Sequence, residues 1–264
     1  MSQALALHAF VISWTGREAA AAMIAEALQP AVERLTVVYS RATGEDLHGA
    51  GDWQRVPDDW FYGRKFEACL GGFEGEVMLQ VQADALCEDW PRLAARCRNA
   101  FARVPNLGVW APRIEHMPLT PELASQSPPF TTIMRYDGSE LESVSHTDGV
   151  VWACRASVAA RLRRLDYKVN NYGWGIEKAA ICHAMSHAGL VLQDAGLRVG
   201  HRTGRGYPQH EAARQLRDFS RQLTPAERVQ YQLLGEHVAL RWQVEQLRRQ
   251  SQAASTPPTP DMPA

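Results

Sequence analysis

Short apolar runs alternate with helical patterns over the first 110 residues, and this alternation limits the fold more than any other feature. His8–Trp14, Leu35–Ser40 and Val77–Val81 are apolar and rich in β-branched residues, which predicts buried strands. Helical patterns separate or follow these runs at Gly16–Gln29, Tyr62–Phe73 and Trp90–Phe101. This order predicts an α/β fold with a mostly parallel central sheet flanked by helices.

The rest of the chain has a less regular pattern. We predict an extended segment at Val144–Trp152 that is interrupted at Asp148-Gly149, and two short strands at Leu190–Leu192 and Leu197–Val199. Residues 210–250 are helical in pattern, and the chain from Ser251 is rich in Pro, Ala, Ser and Thr, which predicts disorder. The expected organisation is therefore a domain at 1–208, a C-terminal helical extension at 209–250 and a disordered tail at 251–264.

Composition excludes several classes of protein. Twenty-eight basic residues against 29 acidic ones give a net charge of -1, which argues against a nucleic-acid partner because such proteins carry a strongly basic surface. No apolar run approaches about 18 residues, so no transmembrane segment is predicted, and the first residues lack the basic start of a signal peptide. Five cysteines without C-x-x-C spacing predict reduced thiols. We expect a cytoplasmic protein, with peripheral contact to the inner face of the membrane left open.

Three side chains are expected at the carboxyl ends of the predicted strands, where open parallel sheets bind their ligands. They are Trp14, Ser40 and Asp84. The Asp84 carboxylate closely follows the apolar run Val77–Val81 and is placed to hold a divalent cation. Capping of the next helix is the alternative role for this residue.

Two later segments add further polar groups. In Gly173–Glu177 the glycines let the backbone approach a ligand, Trp174 offers a flat apolar face to a sugar ring, and the final Glu lies in a first helical turn, where the helix dipole favours its ionised form. Such a carboxylate can act as general base; a simple helix-stabilising Glu is the alternative. His201 follows in a glycine-rich basic loop with Arg202 and Arg205, where it is either a metal ligand or a structural histidine.

In this order the motifs resemble those of the GT-A glycosyltransferases, bacterial family-2-like members, which have one Rossmann-like domain and use nucleotide sugars. The family carries D-x-D after a central strand, then W-G-x-E/D, then a C-terminal histidine. The corresponding residues here are Gln82-Ala83-Asp84, Trp174-Gly175-Ile176-Glu177 and His201. The resemblance implies that Asp84 and His201 bind Mn²⁺ or Mg²⁺. Gln82 replaces the first Asp of the motif and is expected to bind ribose or water instead.

The resemblance also implies a UDP- or GDP-sugar donor at the carboxyl ends of the strands. A divalent cation on the two phosphates, together with nearby basic side chains, would stabilise the charge that forms as the bond from anomeric carbon to phosphate breaks. The residues expected to contact the donor are Ser13, Trp14, Ser40, Arg64, Lys65, Gln82, Trp174 and Arg202.

For the transfer step, Glu177 is the first candidate for general base and Asp148 the second. Either carboxylate would deprotonate a hydroxyl of a glycan or glycolipid acceptor, which would attack the anomeric carbon with inversion; a retaining course stays open. A turn formed by Asp148-Gly149 is the alternative role for the second candidate. By analogy with the fold, the process is polysaccharide biosynthesis.

Two other functions remain as alternatives. A sugar-1-phosphate nucleotidyltransferase uses a similar sheet, but the segment Ser13–Arg17 is poorer in glycine than the loop such enzymes have after their first strand. An inactive nucleotide-sugar-binding scaffold is the other alternative, because Gln82 departs from the metal-binding motif and the helical C-terminus suits a protein interface.

Overall fold

The computed structural model describes residues 5–118, 132–136, 140–203 and 207–255. Within these ranges, ten strands form one sheet: β1 (Leu7–Ser13), β2 (Arg34–Ser40), β3 (Asp52–Val56), β4 (Val77–Gln82), β5 (Ala85–Leu86), β6 (Leu107–Pro118), β7 (Thr132–Arg135), β8 (Leu141–Val144), β9 (Val151–Arg155) and β10 (Leu190–Thr203). The helices are α1 (Glu18–Leu28), α2 (Tyr62–Gly72), α3 (Trp90–Arg103), α4 (Ala156–Leu162), α5 (Ile176–Ser186), α6 (Gln209–Ser220) and α7 (Pro225–Ser255).

The sheet has the strand order β3-β2-β1-β4-β9-β6-β10-β8-β7, and β5 pairs with β10 outside this path. Strands β1 to β4 lie parallel to one another, and β6 lies parallel to β10. Strand β9 runs antiparallel to both of its neighbours, β4 and β6. The predicted α/β fold with a mostly parallel sheet is confirmed.

Strand β1 shows how two cores form on opposite faces of the sheet. All seven of its residues are buried, because parallel strands flank it and helices cover both faces. Ala9 and Val11 contribute to the core that contains α1 and α3. Phe10 and Ile12 point the other way, into the core that contains α2, α4 and α5.

One predicted interruption is present in the structure, and one pair of predicted strands is corrected. The segment Val144–Trp152 contains the end of β8 and the start of β9, and the chain turns between them at the predicted Asp148-Gly149 interruption, where Asp148 accepts a hydrogen bond from the Val150 N–H. The two short strands predicted near 190 and 198 are one strand, β10, with a register shift between Asp194 and Arg198. A local irregularity of this kind interrupts the apolar pattern without ending the strand.

The C-terminal helices pack on the second core. Phe219 and Leu223 are buried there, and Thr224 and Glu227 form a reciprocal capping box at the start of α7. Helix α7 continues to Ser255, so residues 251–255 of the predicted disordered tail are helical. The remainder of that tail lies outside the described residues. None of the described helices combines the length and the apolar character needed to cross a membrane.

Candidate active site

A cleft of about 660 Å³ opens at the carboxyl ends of β1, β2 and β4. Trp14 follows β1, Ser40 ends β2 and Gln82 ends β4, and all three side chains line the cleft. The sequence-predicted residues Lys65, Asp84, Asp148, Trp174, Glu177 and His201 line it as well. One cavity therefore contains nine of the twelve residues that the sequence singled out.

Asp84 and His201 meet within this cleft. Strand β5 begins one residue after Asp84, and its Ala85 pairs with His201 of β10. This pairing brings His201 Nε2 to 3.2 Å from Asp84 Oδ2. Asp84 Oδ1 is buried and has no hydrogen-bond partner in the described part of the chain, so the carboxylate has a free acceptor beside the imidazole.

The two side chains fit a divalent metal ion of the Mn²⁺ or Mg²⁺ type. Ligand atoms at neighbouring corners of an octahedron with bonds of about 2.1 Å are about 3 Å apart, which matches the separation of Oδ2 and Nε2. A carboxylate oxygen and an imidazole nitrogen also suit these metals. Among the described residues no group of three or more His, Cys, Asp and Glu side chains could hold a metal ion.

Glu177 lies in the first turn of α5 and is 9% exposed. The turn is entered through Gly175, whose φ of 78° lies in the left-handed region that glycine adopts without strain. Burial raises the pKa of Glu177 from 4.5 to about 7, Lys178 opposes this rise and Asp148 adds to it. The helix dipole was expected to favour the ionised form of this carboxylate, and burial acts in the opposite direction.

Asp148 is held in a turn by contacts from its own loop and from β4. Its Oδ1 accepts a hydrogen bond from the Val150 N–H at 2.9 Å. The Gln82 side-chain amide donates to the Gly149 carbonyl at 3.0 Å, and the Gln82 N–H donates to the Val150 carbonyl at 2.9 Å. Gln82, which was predicted to bind ribose or water, thus directs its amide nitrogen to the protein backbone.

Lys65 is a buried cation beside the cleft, at the carboxyl ends of β1 and β2. It is 2% exposed, and its Nζ donates to the Ser13 carbonyl and to Ser40 Oγ, both at 2.8 Å. Burial lowers the pKa of Lys65 from 10.5 to about 8, against the attraction of the Asp58 carboxylate. This lysine brings a positive charge to the ends of β1 and β2.

Two predicted donor contacts, Ser13 and Arg64, do not line the cleft, and the structure does not describe the side chain of a third. Ser13 is fully buried and does not line the cleft, because the pleat of β1 turns its side chain into the core. Arg64 forms an ion pair with Glu67, one helical turn later, at 2.8 Å. Its guanidinium also lies over the Trp60 ring, 4.4 Å from the ring centroid. The side chain of Arg202, like Arg205 as a whole, lies outside the described residues.

An aromatic group at the cleft was not predicted from the sequence. The rings of Tyr172 and Tyr207 stack with centroids 4.7 Å apart, and Phe61 lies 4.9 Å from Tyr172. The indole N–H of Trp174 donates to the Tyr207 hydroxyl at 2.7 Å. Phe61, Tyr172 and Tyr207 are single aromatic residues in separate segments of the chain and give no local pattern, so only the Trp174 motif pointed to this wall.

A polar pair at the donor end was also missed. Thr15 follows β1 and donates its hydroxyl to Asp58 Oδ1 at 2.7 Å, and both residues line the cleft. Asp58 lies two residues after β3, so the rule that ligands bind beyond strand ends could have identified it.

Comparison with solved structures identifies the fold as that of the GT-A glycosyltransferases. The chain matches GalNAc-T7, solved with UDP, GalNAc and Mn²⁺, with a TM-score of 0.56 and 13% identity over 77% of this chain and 45% of that one. It matches residues 1–349 of S. aureus TarS with a TM-score of 0.54 and 10% identity over 90% and 81% of the two chains. It also matches a longer S. aureus TarS structure, with a TM-score of 0.58 and 11% identity over 89% of this chain and 43% of that one.

This likeness establishes the GT-A fold that the sequence motifs implied. The chain spans less than half the length of the GalNAc-T7 structure that it matches. No protein-family model and no curated protein matches the sequence.

Proposed function

We propose that this protein is a glycosyltransferase that moves a sugar from a nucleotide-diphosphate donor to an acceptor hydroxyl. The observation that carries the proposal is the contact between Asp84 and His201 in the same cleft as the buried Glu177. The pair would bind a metal ion that stabilises the leaving diphosphate, and the carboxylate would accept the proton of the acceptor hydroxyl. The GT-A fold supports the same reading.

The donor would bind at the ends of β1 and β2. Asp84 and His201 would hold Mn²⁺ or Mg²⁺, which would neutralise negative charge on the departing diphosphate. Lys65 would add a second positive charge near the diphosphate. Two hydrogen bonds fix the position of its Nζ, so this charge would need no reorganisation. Trp14 and the Thr15–Asp58 pair line the cleft beside it and would contact the UDP or GDP moiety.

Glu177 would act as the general base. Its pKa of about 7 leaves a large share of the carboxylate ionised at neutral pH and able to accept a proton. The acceptor oxygen would give its proton to Glu177 and form a bond to the anomeric carbon, while the bond to phosphate breaks and its electron pair leaves with the diphosphate. Attack opposite the leaving group inverts the anomeric configuration. Asp148 would tune this base by its charge, since one of its oxygens is engaged by Val150.

The acceptor would be a carbohydrate, either a glycan or a glycolipid headgroup. The stacked rings of Tyr172 and Tyr207, with Phe61 and Trp174 beside them, offer flat apolar faces to sugar rings. We also propose a cytoplasmic location, because all five cysteines are free thiols.

The proposal is tested with UDP- and GDP-sugars in the presence of Mn²⁺, Mg²⁺ or EDTA. Release of UDP or GDP that depends on the cation is the expected result, and NMR of the product should show an inverted anomeric centre. Nucleotide binding without release from any donor would favour the scaffold alternative. Pyrophosphate-dependent formation of sugar-1-phosphate would favour a nucleotidyltransferase instead.

A further inference from the structure

Gln82 stands where the GT-A motif has its first Asp, and both its side-chain amide and its backbone N–H donate to backbone carbonyls. Its side-chain amide donates to the Gly149 carbonyl at 3.0 Å, while its backbone N–H donates to the Val150 carbonyl at 2.9 Å. One residue of β4 thus fixes two successive carbonyls of the loop before β9. An ionised Asp or Glu side chain is an acceptor only and could not donate to a carbonyl.

The loop held by Gln82 lies directly against Glu177. A methyl group added at Gly149 would come within 3.3 Å of Glu177 Oε2, so the glycine backbone and the carboxylate are in close contact. The preceding residue, Asp148, influences the charge of the same carboxylate. Another residue of β4, Gln80, donates its side-chain amide to the Val150 carbonyl at 3.4 Å. The Tyr62 hydroxyl donates in turn to Gln80 Oε1 at 3.1 Å.

We propose that Gln82 is a positioning residue for the transfer reaction, which holds the Asp148–Val150 turn against the Glu177 carboxylate. The inference rests on the proposed function, because it assumes that Glu177 is the base. It assigns a role to the motif position at which this chain departs from the D-x-D pattern. Strand β4 thereby serves both halves of the site, since Asp84 lies two residues beyond Gln82.

The inference leads to an unusual expectation for the variant that restores the family motif. In Gln82→Asp the shorter carboxylate would lose the bond to Gly149 and place a negative charge beside a carbonyl oxygen. We expect kcat to fall about five- to tenfold, the cost of one lost hydrogen bond and of a displaced base. The donor KM should stay within about twofold, because the donor contacts are elsewhere.

Further variants separate loss of the hydrogen bond to Gly149 from the added negative charge. Gln82→Met removes the hydrogen bond without adding charge, and Gly149→Ala pushes on Glu177 from the other side of the contact. Both should lower kcat and leave the donor KM unchanged. Gln82→Glu should also move the acidic limb of the pH profile of kcat to higher pH. The titratable groups that face Glu177 are Asp148, Lys178, Tyr62, Cys182 and Tyr231.

The matched control is Gln54→Asp, the same substitution at an exposed position on β3 outside the cleft, and it should leave kcat unchanged. Melting temperatures and UDP-Mn²⁺ binding, measured for every variant, show that the fold and the donor site persist. Wild-type or higher kcat in Gln82→Asp or Gln82→Met would overturn the positioning role. An inactive wild-type protein would instead refute the proposed function, so the two failures are distinguishable.

Discussion

His201 Nε2 lies 3.2 Å from Asp84 Oδ2, although the two residues are 117 positions apart in the chain. The two-residue strand β5 explains the contact, because Ala85 pairs with His201 on β10 and carries the adjacent Asp84 with it. Both side chains are less than a fifth exposed, at 17% for Asp84 and 18% for His201. A pair fixed by sheet hydrogen bonds in this way would be preorganised for the metal ion that we propose it binds.

The first prediction concerns cation-dependent nucleotide binding by this pair. At about 100 times Kd, UDP or GDP with Mn²⁺ should add about 2.7 kcal/mol of stability, or roughly 5 to 10 °C in melting temperature for a domain of this size. Asp84→Asn and His201→Ala should each abolish most of the shift. The control Asp46→Asn, at an exposed ion pair outside the cleft, should keep it. A full shift in both site variants would contradict the metal assignment.

The second prediction concerns Glu177, whose pKa of about 7 should appear as the acidic limb of the pH profile of kcat/KM. Activity should rise as pH increases through about 7. Glu177→Gln should lower kcat about 100-fold or more, the contribution typical of a general base. Donor-dependent thermal shifts should be unchanged in this variant, and loss of the shift would show that Glu177 serves donor binding instead.

The same carboxyl group should make stability depend on pH. The unfolded group releases its proton near 4.5 and the folded group near 7, so the folded state binds more protons between these values. Stability attributable to Glu177 is therefore present below the unfolded pKa and is lost as pH rises through the folded pKa, by on the order of 3 kcal/mol. Glu177→Gln should remove this loss. Urea unfolding at pH 5 and pH 8 measures it, and an equal pH response in both proteins would contradict the burial argument.

Parts of this arrangement could be predicted from the sequence, and the reasons are physical. Strands such as β1 and β4 are rich in apolar residues close together in the chain, so neighbouring residues carry the signal. The contact between Asp84 and His201 was implied only by the order of the motifs, because the two-residue strand β5 is too short to show a periodic hydrophobic pattern. Phe61 and Tyr207 are isolated aromatic residues whose proximity depends on the fold. The raised pKa of Glu177 was not predicted, because burial is a tertiary property.

The third prediction concerns Lys65, the buried cation beneath the donor site. Its pKa of about 8 means that the positive charge is lost at higher pH, so the donor KM should rise as pH increases above about 8. Lys65→Met should raise the donor KM at least about tenfold at pH 7 and remove this alkaline dependence. Lys168→Met, an exposed position away from the cleft, is the control. An unchanged alkaline limb in Lys65→Met would assign that limb to another group.

The fourth prediction concerns the attachment of the C-terminal helices. Arg161 donates two hydrogen bonds to the carboxylate of Glu227, which is 1% exposed and also contacts His183 and the Thr224 N–H. Although burial alone would raise it, the pKa of Glu227 is held at about 2, chiefly by Arg161. Its stabilising effect should be complete above the unfolded pKa of 4.5 and decrease as pH falls toward about 2.

Glu227→Gln should therefore lower the free energy of unfolding by about 3 to 5 kcal/mol at pH 7, because it leaves the Arg161 charge without its buried partner. Urea unfolding measures the change. Glu236→Gln, at an exposed position on the same helix, should change stability by less than about 0.5 kcal/mol. Equal stability of the two variants would show that α7 is held by its apolar contacts alone.

The last prediction concerns the aromatic wall and separates acceptor binding from donor chemistry. Tyr207 stacks on Tyr172 and accepts the hydrogen bond from Trp174, so it fixes the orientation of both rings. Tyr207→Phe keeps the stack and loses the hydrogen bond, which should raise the acceptor KM about fivefold. Tyr207→Ala loses both and should raise it further, since each aromatic contact contributes about 0.5 to 1.5 kcal/mol.

Hydrolysis of the donor in the absence of acceptor provides the internal comparison, because it requires the metal pair and the donor contacts but no acceptor sugar. Both variants should retain it at the wild-type rate, as should Tyr136→Phe, a control at a residue that packs on the other core. If donor hydrolysis fell in parallel with transfer, the rings would support the donor site. If acceptor KM were unchanged in Tyr207→Ala, the wall would have no role in binding the acceptor, and the carbohydrate assignment would lose its main support.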